Sequence, residues 1–239
     1  HSSLSALGYI LGGPNAIVDT LMRVVSPEGT ILMPVYPFQG SMLEYFSSSP
    51  TFNVAEDKSQ MGAVTESFRK KTIFRSKHPS HSVASWGKDA EWFVKDHQKD
   101  NSPFGKNSPF FKAYIRKGKV LCIGSDIGQV SIYHVAEELT DFPKEVYLKK
   151  IYEAKVITPE NKKIKVISKV HDPTQTKYRI DNDINTRKRL EKYFIKMGCL
   201  KTISVGKGKC SLIEIDPTIN MLIKGAKSGC TIYGDLNNL

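Results

Sequence analysis

The chain has 239 residues, of which 40% are hydrophobic and 25% charged, and its formal net charge is +11. A chain of this size buries one substantial core, and no apolar run approaches the roughly 18 to 20 residues that cross a bilayer. We therefore expect a cytoplasmic protein with no membrane partner. The charge favours anionic partners, but the basic runs are separated and lack interleaved aromatic residues, so nucleic acid is not expected among them.

The predicted elements alternate between helix and strand, which indicates an α/β or mixed α+β layered fold. Pro14 suits the first turn of a helix that ends before Gly29, and a strand over 30–33 follows. Residues 35–60 predict a long loop of the kind that often forms a binding wall. Ser59 is placed to cap the next helix.

The remaining elements follow from apolar runs and helix stop signals. A helix near 88–95 precedes a buried strand over 120–123. Strands with a turn near 159–161 are predicted between 145 and 170, and a helix from about 184 to 197 ends at Gly198. A last strand and a short helix complete the chain. We expect one domain over 1–239, with room for a small C-terminal subdomain from about 145.

The four cysteines are scattered, with no CxxC pair and no histidine at the spacing of a zinc ligand. The sequence therefore predicts neither a disulfide framework nor a structural metal site, and the thiols are expected to be reduced. These residues are Cys122, Cys199, Cys210 and Cys230.

The segment from Val120 to Leu139 is the first candidate for chemistry. Ser131 as N-cap would place His134 in the first helical turn, where the helix dipole favours the neutral ring that a general base needs. Glu137, three residues on, would lie on the same side of the helix and orient the ring or contact a substrate amine. By spacing alone, a structural role for this histidine stays open.

Two further segments carry polar groups. Residues 75–82 combine two histidines with two cations and several hydroxyls, and either satisfy their own backbone or form a pocket wall with Arg75 or Lys77 available for phosphate. Residues 1–13 form a Ser- and Gly-rich turn whose amides suit a phosphate or a pantetheine amide. A metal-dependent hydrolase using His78, His81 and His134 is disfavoured, because the helical histidine pair of such sites is lacking.

Taken in order, these motifs resemble the aminoglycoside 3-N-acetyltransferase family over more than half of the chain. The resemblance implies the antibiotic N-acetyltransferase fold, a central sheet flanked by helices. Relatives place a helix and a strand before the first motif, so we expect the chain to be a truncated form. The matching segments are HSSLSALG with a following GG at 1–13, GTILMP at 29–34, SQMGAVTESFR at 59–69, RSKHPSHSVASWG at 75–87, SPFGKNSP at 102–109, GKVLCIGS at 118–125 and HVAEE at 134–138.

The same resemblance implies residue roles and acyl-CoA as co-substrate, without a metal. His134 would be the catalytic histidine, with Glu137 as its companion and Glu66 helping to build the cleft. The residues assigned to the cofactor side are Ser2, Ser3, Ser5, Arg75 and Ser131. Those assigned to the acceptor side are His78, His81 and Ser82.

The implied activity is acyl-CoA-dependent N-acylation of an amino sugar, with a homodimer left open. Because aminoglycosides are polycations and this chain has a basic excess, a nucleotide-linked amino sugar is the favoured acceptor. Aminoglycoside acetylation, which confers antibiotic resistance, and a non-catalytic CoA- or sugar-binding module are the alternatives. A local acidic cleft built from Glu44, Glu56, Asp57 and Glu137 would favour the aminoglycoside.

Overall fold

The structure, a computed structural model, describes residues 1–140, 146–178 and 184–227. In these ranges no helix is long and apolar enough to cross a membrane. The α-helices are α1 (Gly13–Val25), α2 (Met42–Ser47), α3 (Ala63–Lys71), α4 (Ala90–Val94), α5 (Pro109–Ile115), α6 (Val135–Glu138), α7 (Ile184–Lys196) and α8 (Ile215–Lys227). The strands are β1 (Thr30–Pro34), β2 (Thr51–Asn53), β3 (Phe74–Arg75), β4 (Val83–Gly87), β5 (Lys119–Ile123), β6 (Tyr152–Ile157), β7 (Lys163–Ser168), β8 (Leu200–Val205) and β9 (Gly208–Glu214).

The mixed class of fold is confirmed, with helices packed against small sheets. The described strands form three three-stranded sheets, in the orders β1-β4-β3, β2-β6-β7 and β5-β9-β8, where the sequence indicates one central sheet. Neighbouring strands are antiparallel except β2 and β6, which are parallel. The strands β1 and β5 lead into the segments that carry the candidate site.

Local stop and start signals locate several elements correctly. Pro14 lies in the first turn of α1, where its missing N–H costs no helical hydrogen bond. Gly198 adopts a φ of +72° just after α7, the left-handed conformation that glycine adopts without a Cβ clash. The predicted turn near 159–161 joins β6 to β7.

Two predictions about element ends are wrong. Ser59 does not cap α3, whose N-cap position is Gly62. The hydroxyl of Ser59 instead lies 2.8 Å from Thr65 Oγ1, and the Ser59 backbone N–H donates to the Glu66 carboxylate at 2.7 Å. The described residues also end with two paired strands, β8 and β9, and the 13-residue helix α8, where one strand and a short helix were expected.

The largest apolar core packs around the loop that follows β5. Its members include the fully buried Phe104, Tyr133 and Phe194, with α5 and α8 contributing side chains from either side. The core thus surrounds residues 130–136, which immediately precede Glu137. Cys122, Cys199 and Cys210 are buried free thiols, and Cys230 lies outside the described residues. The single-domain assignment stays a prediction.

Candidate active site

The loop after β5 begins with a glycine in the left-handed conformation. Gly124 adopts a φ of +68°, and a Cβ at this position would come within 2.5 Å of the Ser3 carbonyl oxygen. Residues 1–3 run along the end of β5, where the Ser3 N–H donates to Ile123 O at 2.8 Å. A residue without a side chain is therefore required where the first segment of the chain meets the loop that leads to His134.

His134 and Glu137 form a hydrogen-bonded pair inside the protein. The Nδ1 atom of His134 lies 2.9 Å from Glu137 Oε1, and their side chains are 9% and 4% exposed. Three-residue spacing brings the two groups together because residues at i and i+3 share a helix face. With Glu137 ionised, Nδ1 must donate the hydrogen, so the neutral ring carries its basic lone pair on Nε2.

Ser131 does not cap the helix that follows, so that prediction is wrong. A 3₁₀ helix, Ser131–His134, precedes α6, and its start has no side-chain cap. The hydroxyl of Ser131 instead lies 2.8 Å from the hydroxyl of Tyr36. Because α6 has only four residues, the Glu137 hydrogen bond replaces the helix dipole as the cause of the neutral His134 tautomer.

A second histidine holds the other oxygen of Glu137. His171, which follows β7, places Nε2 3.1 Å from Glu137 Oε2. Burial alone would raise the pKa of Glu137, but the charges and hydrogen bonds of His134 and His171 outweigh it and lower that pKa to about 2. The carboxylate is therefore ionised at neutral pH, with a nitrogen donor on each oxygen.

Aromatic side chains enclose this pair. The ring of Phe104 lies 4.6 Å from that of His134 and 4.9 Å from that of His81. His81 also lies 4.5 Å from Tyr36. Burial, together with the nearby His171 and His134, lowers the pKa of His81 well below its usual value, so its ring is neutral at pH 7. Apolar walls of this kind reduce the local dielectric constant and strengthen the His134–Glu137 interaction.

A second carboxylate lies beside the first. Glu138 Oε1 accepts hydrogen bonds from the Ser102 hydroxyl at 2.6 Å and the Tyr147 hydroxyl at 2.9 Å. The Tyr147 ring stacks on His171 with centroids 4.5 Å apart. Among the described residues, no lysine or arginine pairs with Glu137 or Glu138. The His134 partner Glu137 is thus followed along the chain by a second carboxylate that is bonded to hydroxyl groups.

The predicted cofactor serines line a surface cavity. Ser2, Ser3 and Ser5 face residues 62–64, at the start of α3, across a cavity of about 670 Å³ that also reaches Gly13 at the N-terminus of α1. A more apolar cavity of about 430 Å³ lies between β1 and β5, and Ser2 is the only predicted site residue in its lining. The serine-lined cavity therefore offers the polar groups that a pantetheine arm needs.

Arg75 is held by the protein interior and is not available for phosphate. Its guanidinium donates to the carbonyls of Val35, Val54 and Asp57 and to the hydroxyl of Ser82. It also lies over the ring of Phe52, 4.7 Å from the centroid. Burial lowers the pKa of Arg75 to about 10. Ser82 is fully buried in the same network, so neither side chain reaches a ligand.

Two other predicted residues lie apart from the His134 cluster. His78 is fully buried and stacks on His97 with ring centroids 4.7 Å apart. Glu66 accepts two hydrogen bonds from Arg69 of the same helix, each at 2.8 Å, and one from the Ser59 N–H at 2.7 Å, which ties α3 to the segment before it. The hydrolase set of His78, His81 and His134 is not assembled.

The site also satisfies one geometric condition for a metal. Ligand atoms of His134, Glu137 and His171 lie within 4.8 Å of one another. Each Glu137 oxygen is also within hydrogen-bond distance of a ring nitrogen, so the three side chains can form a hydrogen-bonded relay.

Sequence reasoning missed four residues that build this site. Tyr36, Phe104, Tyr147 and His171 come from four separate segments, and no local spacing connects them to His134. Tyr36 does fall in the loop expected to form a binding wall, and Phe104 falls in a segment that matches the family. No comparable signal marked His171.

Together, the mixed fold and the buried histidine–carboxylate pair define an α/β protein with a candidate general-base site. A family model for aminoglycoside 3-N-acetyltransferases matches residues 1–225. The chain belongs to the aminoglycoside 3-N-acetyltransferase family, and the resemblance inferred from its motifs is confirmed.

Relatives of known sequence agree with this assignment. The chain is 31% identical over 161 residues to the SPbeta prophage-derived aminoglycoside N(3')-acetyltransferase-like protein YokD of Bacillus subtilis, covering 60% of this chain and 59% of that protein. It is 30% identical over 159 residues to aminoglycoside N(3)-acetyltransferase VII of Streptomyces paromomycinus, covering 60% and 54%. The matched regions thus span less than two thirds of these relatives.

Solved structures share the fold more widely. The crystal structure of Bacillus subtilis YokD superposes with a TM-score of 0.73 and 26% identity, covering 94% of this chain and 84% of that one. AAC-IIIb in a binary complex with CoASH gives a TM-score of 0.75 and 22% identity, covering 97% and 89%. The fold prediction is therefore confirmed over nearly the whole chain.

Proposed function

We propose that this chain is an acyl-CoA-dependent N-acyltransferase that acetylates an amine of an aminoglycoside, with His134 as general base. The observation that carries the proposal is the buried hydrogen bond from His134 Nδ1 to Glu137, at 2.9 Å. It fixes the tautomer in which Nε2 accepts a proton near neutral pH. Family membership supports the reaction type.

The reaction joins an amine to a thioester. The amine nitrogen attacks the carbonyl carbon of acetyl-CoA while His134 Nε2 takes a proton from that nitrogen. The carbon–sulfur bond then breaks, and the CoA thiolate takes the proton from the imidazolium, directly or through water. The products are an N-acetylated acceptor and CoA thiol, without an acyl-enzyme. Glu137 stabilises the transient imidazolium by retaining the Nδ1 hydrogen bond.

The segment with the predicted cofactor serines lies against β5. Ser2 pairs with Ile123 at the end of β5, and the loop that leads to His134 begins at the next residue. We place the CoA arm in the cavity lined by Ser2, Ser3 and Ser5, where hydroxyls and the N-terminus of α1 supply donors. The same donors would stabilise the developing oxyanion.

The aminoglycoside is favoured over the nucleotide-linked amino sugar that net charge indicated. Two relatives are named aminoglycoside N(3)-acetyltransferases, and the His134 partner Glu137 is followed by Glu138, which is bonded to Tyr147 beside His171. Carboxylates attract a polycationic acceptor and repel a diphosphate. The four residues named for an acidic cleft do not form one group: Glu44 belongs to the capping box of α2, and Glu56 and Asp57 bond to Asn53.

A thiol-release assay with acetyl-CoA tests the proposal. Three reactions contain an aminoglycoside, a nucleotide-linked amino sugar or no acceptor. We expect release with the aminoglycoside only. Release with the nucleotide sugar alone would replace the acceptor class, and CoA binding without release to any amine would favour the binding-module alternative.

Two variants assign the base. His134→Ala is expected to lose at least about a hundredfold in kcat, and His134→Asn keeps an amide donor for Glu137 but has no basic nitrogen. Both should be inactive, and the thermal melting of His134→Asn should stay close to that of the parent chain. Near-parental turnover by His134→Asn would remove His134 from its assigned role.

A further inference from the structure

Two histidines that are far apart in sequence contact the two carboxylate oxygens of Glu137. His134 precedes it by three residues, whereas His171 follows it by 34. Their nitrogens lie 2.9 Å and 3.1 Å from different oxygens of one carboxylate. The two rings also approach each other, with centroids 4.6 Å apart at 43°. The carboxylate therefore has a fixed orientation only while both donors are present.

His171 is itself held in place. Its ring stacks on Tyr147 at 30°, and the backbones of the two residues form an antiparallel bridge. The Tyr147 hydroxyl donates to Glu138, the residue after Glu137. The His171 ring is thus locked between a stacked aromatic ring and the carboxylate, and its Nε2–H has one direction in which to donate.

We propose that His171 is a positioning residue that acts through Glu137 to fix the tautomer and orientation of His134. This proposal rests on the proposed function and deepens it. By occupying Oε2, His171 leaves Oε1 as the oxygen that receives the His134 Nδ1–H. The base nitrogen of His134 is then Nε2 in every turnover.

Loss of His171 has two consequences. The Glu137 side chain is 4% exposed, so an unpartnered Oε2 cannot be compensated fully by water, and the carboxylate rotates to share its oxygens with His134. His134 is also then the one histidine that donates to Glu137, so the negative charge of the Glu137 carboxylate is less neutralised. Protonated His134 is then stabilised more strongly, which raises its pKa and moves the acidic limb of the rate profile to higher pH.

The charged and titratable groups around this pair set the background for that shift. His81 approaches from the segment after β3, and the Lys169 ammonium lies 5.4 Å from the Tyr147 ring centroid. Glu137 and Tyr147 contact these histidines directly, His81 lies nearby, and Glu138 and Lys169 adjoin Tyr147. All of them remain in each variant below, so the change of profile belongs to His171.

Three variants isolate the hydrogen bond. His171→Phe keeps a ring against Tyr147 but has no donor, and His171→Gln keeps an N–H near the position of Nε2. Thr174→Ala, an exposed change in the same segment, is the matched control. The parent chain and the variants are assayed for kcat, for the KM of acetyl-CoA and for the pH profile of kcat/KM.

We expect His171→Phe to lose about tenfold in kcat, as for loss of one hydrogen bond to a buried charge, with the KM of acetyl-CoA unchanged. Its acidic limb should move to higher pH. His171→Gln should recover most of both effects, and Thr174→Ala should match the parent. Addition of EDTA should change none of these values, whereas a loss restored by zinc would replace the relay with a metal site.

One readout does not require turnover. ¹⁵N NMR of the His134 ring should show Nδ1 protonated in the parent chain and a mixture of tautomers in His171→Phe. An unchanged tautomer together with a parental pH profile would overturn the positioning role while leaving the proposed function intact. An inactive parent chain that still shows the tautomer change would overturn the proposed function and keep the relay.

Discussion

His97 makes the folded protein sensitive to acid. It is fully buried, with Nε2 donating to the Pro103 carbonyl and Nδ1 accepting from the Ser76 hydroxyl, both at 2.9 Å. Burial lowers its pKa from 6.5 to about 3; the Pro103 carbonyl opposes this shift, and the charge of Lys112 adds to it. Protonation would turn Nδ1 into a donor facing a hydroxyl that already accepts from Val83 N–H.

The direction of the pH dependence of stability follows from the protons that the folded and unfolded states bind. Between pH 6.5 and 3 the unfolded chain binds a proton at His97 and the folded chain does not. The stabilising contribution is therefore complete above pH 6.5 and is lost as the pH falls. With these two pKa values, the folded state loses about 2 kcal/mol from this one group between pH 7 and pH 5.

Urea unfolding at pH 7 and pH 5 measures this loss. His97→Gln retains an amide donor but does not titrate, so its unfolding free energy should fall about 2 kcal/mol less than that of the parent over the same interval. Lys99→Gln, an exposed change in the same 3₁₀ helix, should keep the parental pH dependence. An equal fall in His97→Gln and in the parent would refute the reasoning.

Two further predictions concern residues that shape the site without touching a ligand. Gly124→Ala should destabilise the chain by about 1 to 3 kcal/mol in urea unfolding, because its φ of +68° and the Ser3 carbonyl oppose a Cβ; a neutral effect would contradict this. Arg75→Lys should cost about 2 to 4 kcal/mol, since several guanidinium hydrogen bonds are lost, and should leave the KM of acetyl-CoA unchanged. A raised KM without lost stability would restore Arg75 to a phosphate-binding role.

The sequence located elements wherever the signal was local. Pro14 and Gly198 act through their own backbone geometry, so α1 begins and α7 ends close to where the pattern predicts. Capping hydroxyls behave differently, because they bond to whatever partner the tertiary structure provides. Ser59 bonds to Thr65 and Ser131 to Tyr36, so both predicted caps fail for the same reason.

The candidate site likewise contains residues that local spacing pairs and residues that only the tertiary structure brings together. His134 and Glu137 were paired correctly because three-residue spacing on a helix brings side chains together without help from the rest of the fold, and the resemblance to the family supplied their expected roles. His171 reaches Glu137 only after β6 and β7 have returned the chain to α6, and no spacing encodes that approach. Arg75 shows the opposite error, since a cation in a polar loop resembles a ligand residue until its carbonyl partners are known.

Net charge was the weakest guide to the acceptor, and Glu138 explains why. A total of +11 describes the field far from the protein, whereas the field at His134 depends on the nearest groups in a low dielectric. Glu138→Gln keeps an oxygen acceptor for Ser102 and Tyr147 and removes only the charge. We expect the KM of a polycationic acceptor to rise about tenfold, with the KM of acetyl-CoA unchanged, whereas Glu153→Gln on the exposed face of β6 should change neither. An unchanged acceptor KM in Glu138→Gln would show that this carboxylate does not contribute to recognition of the amine.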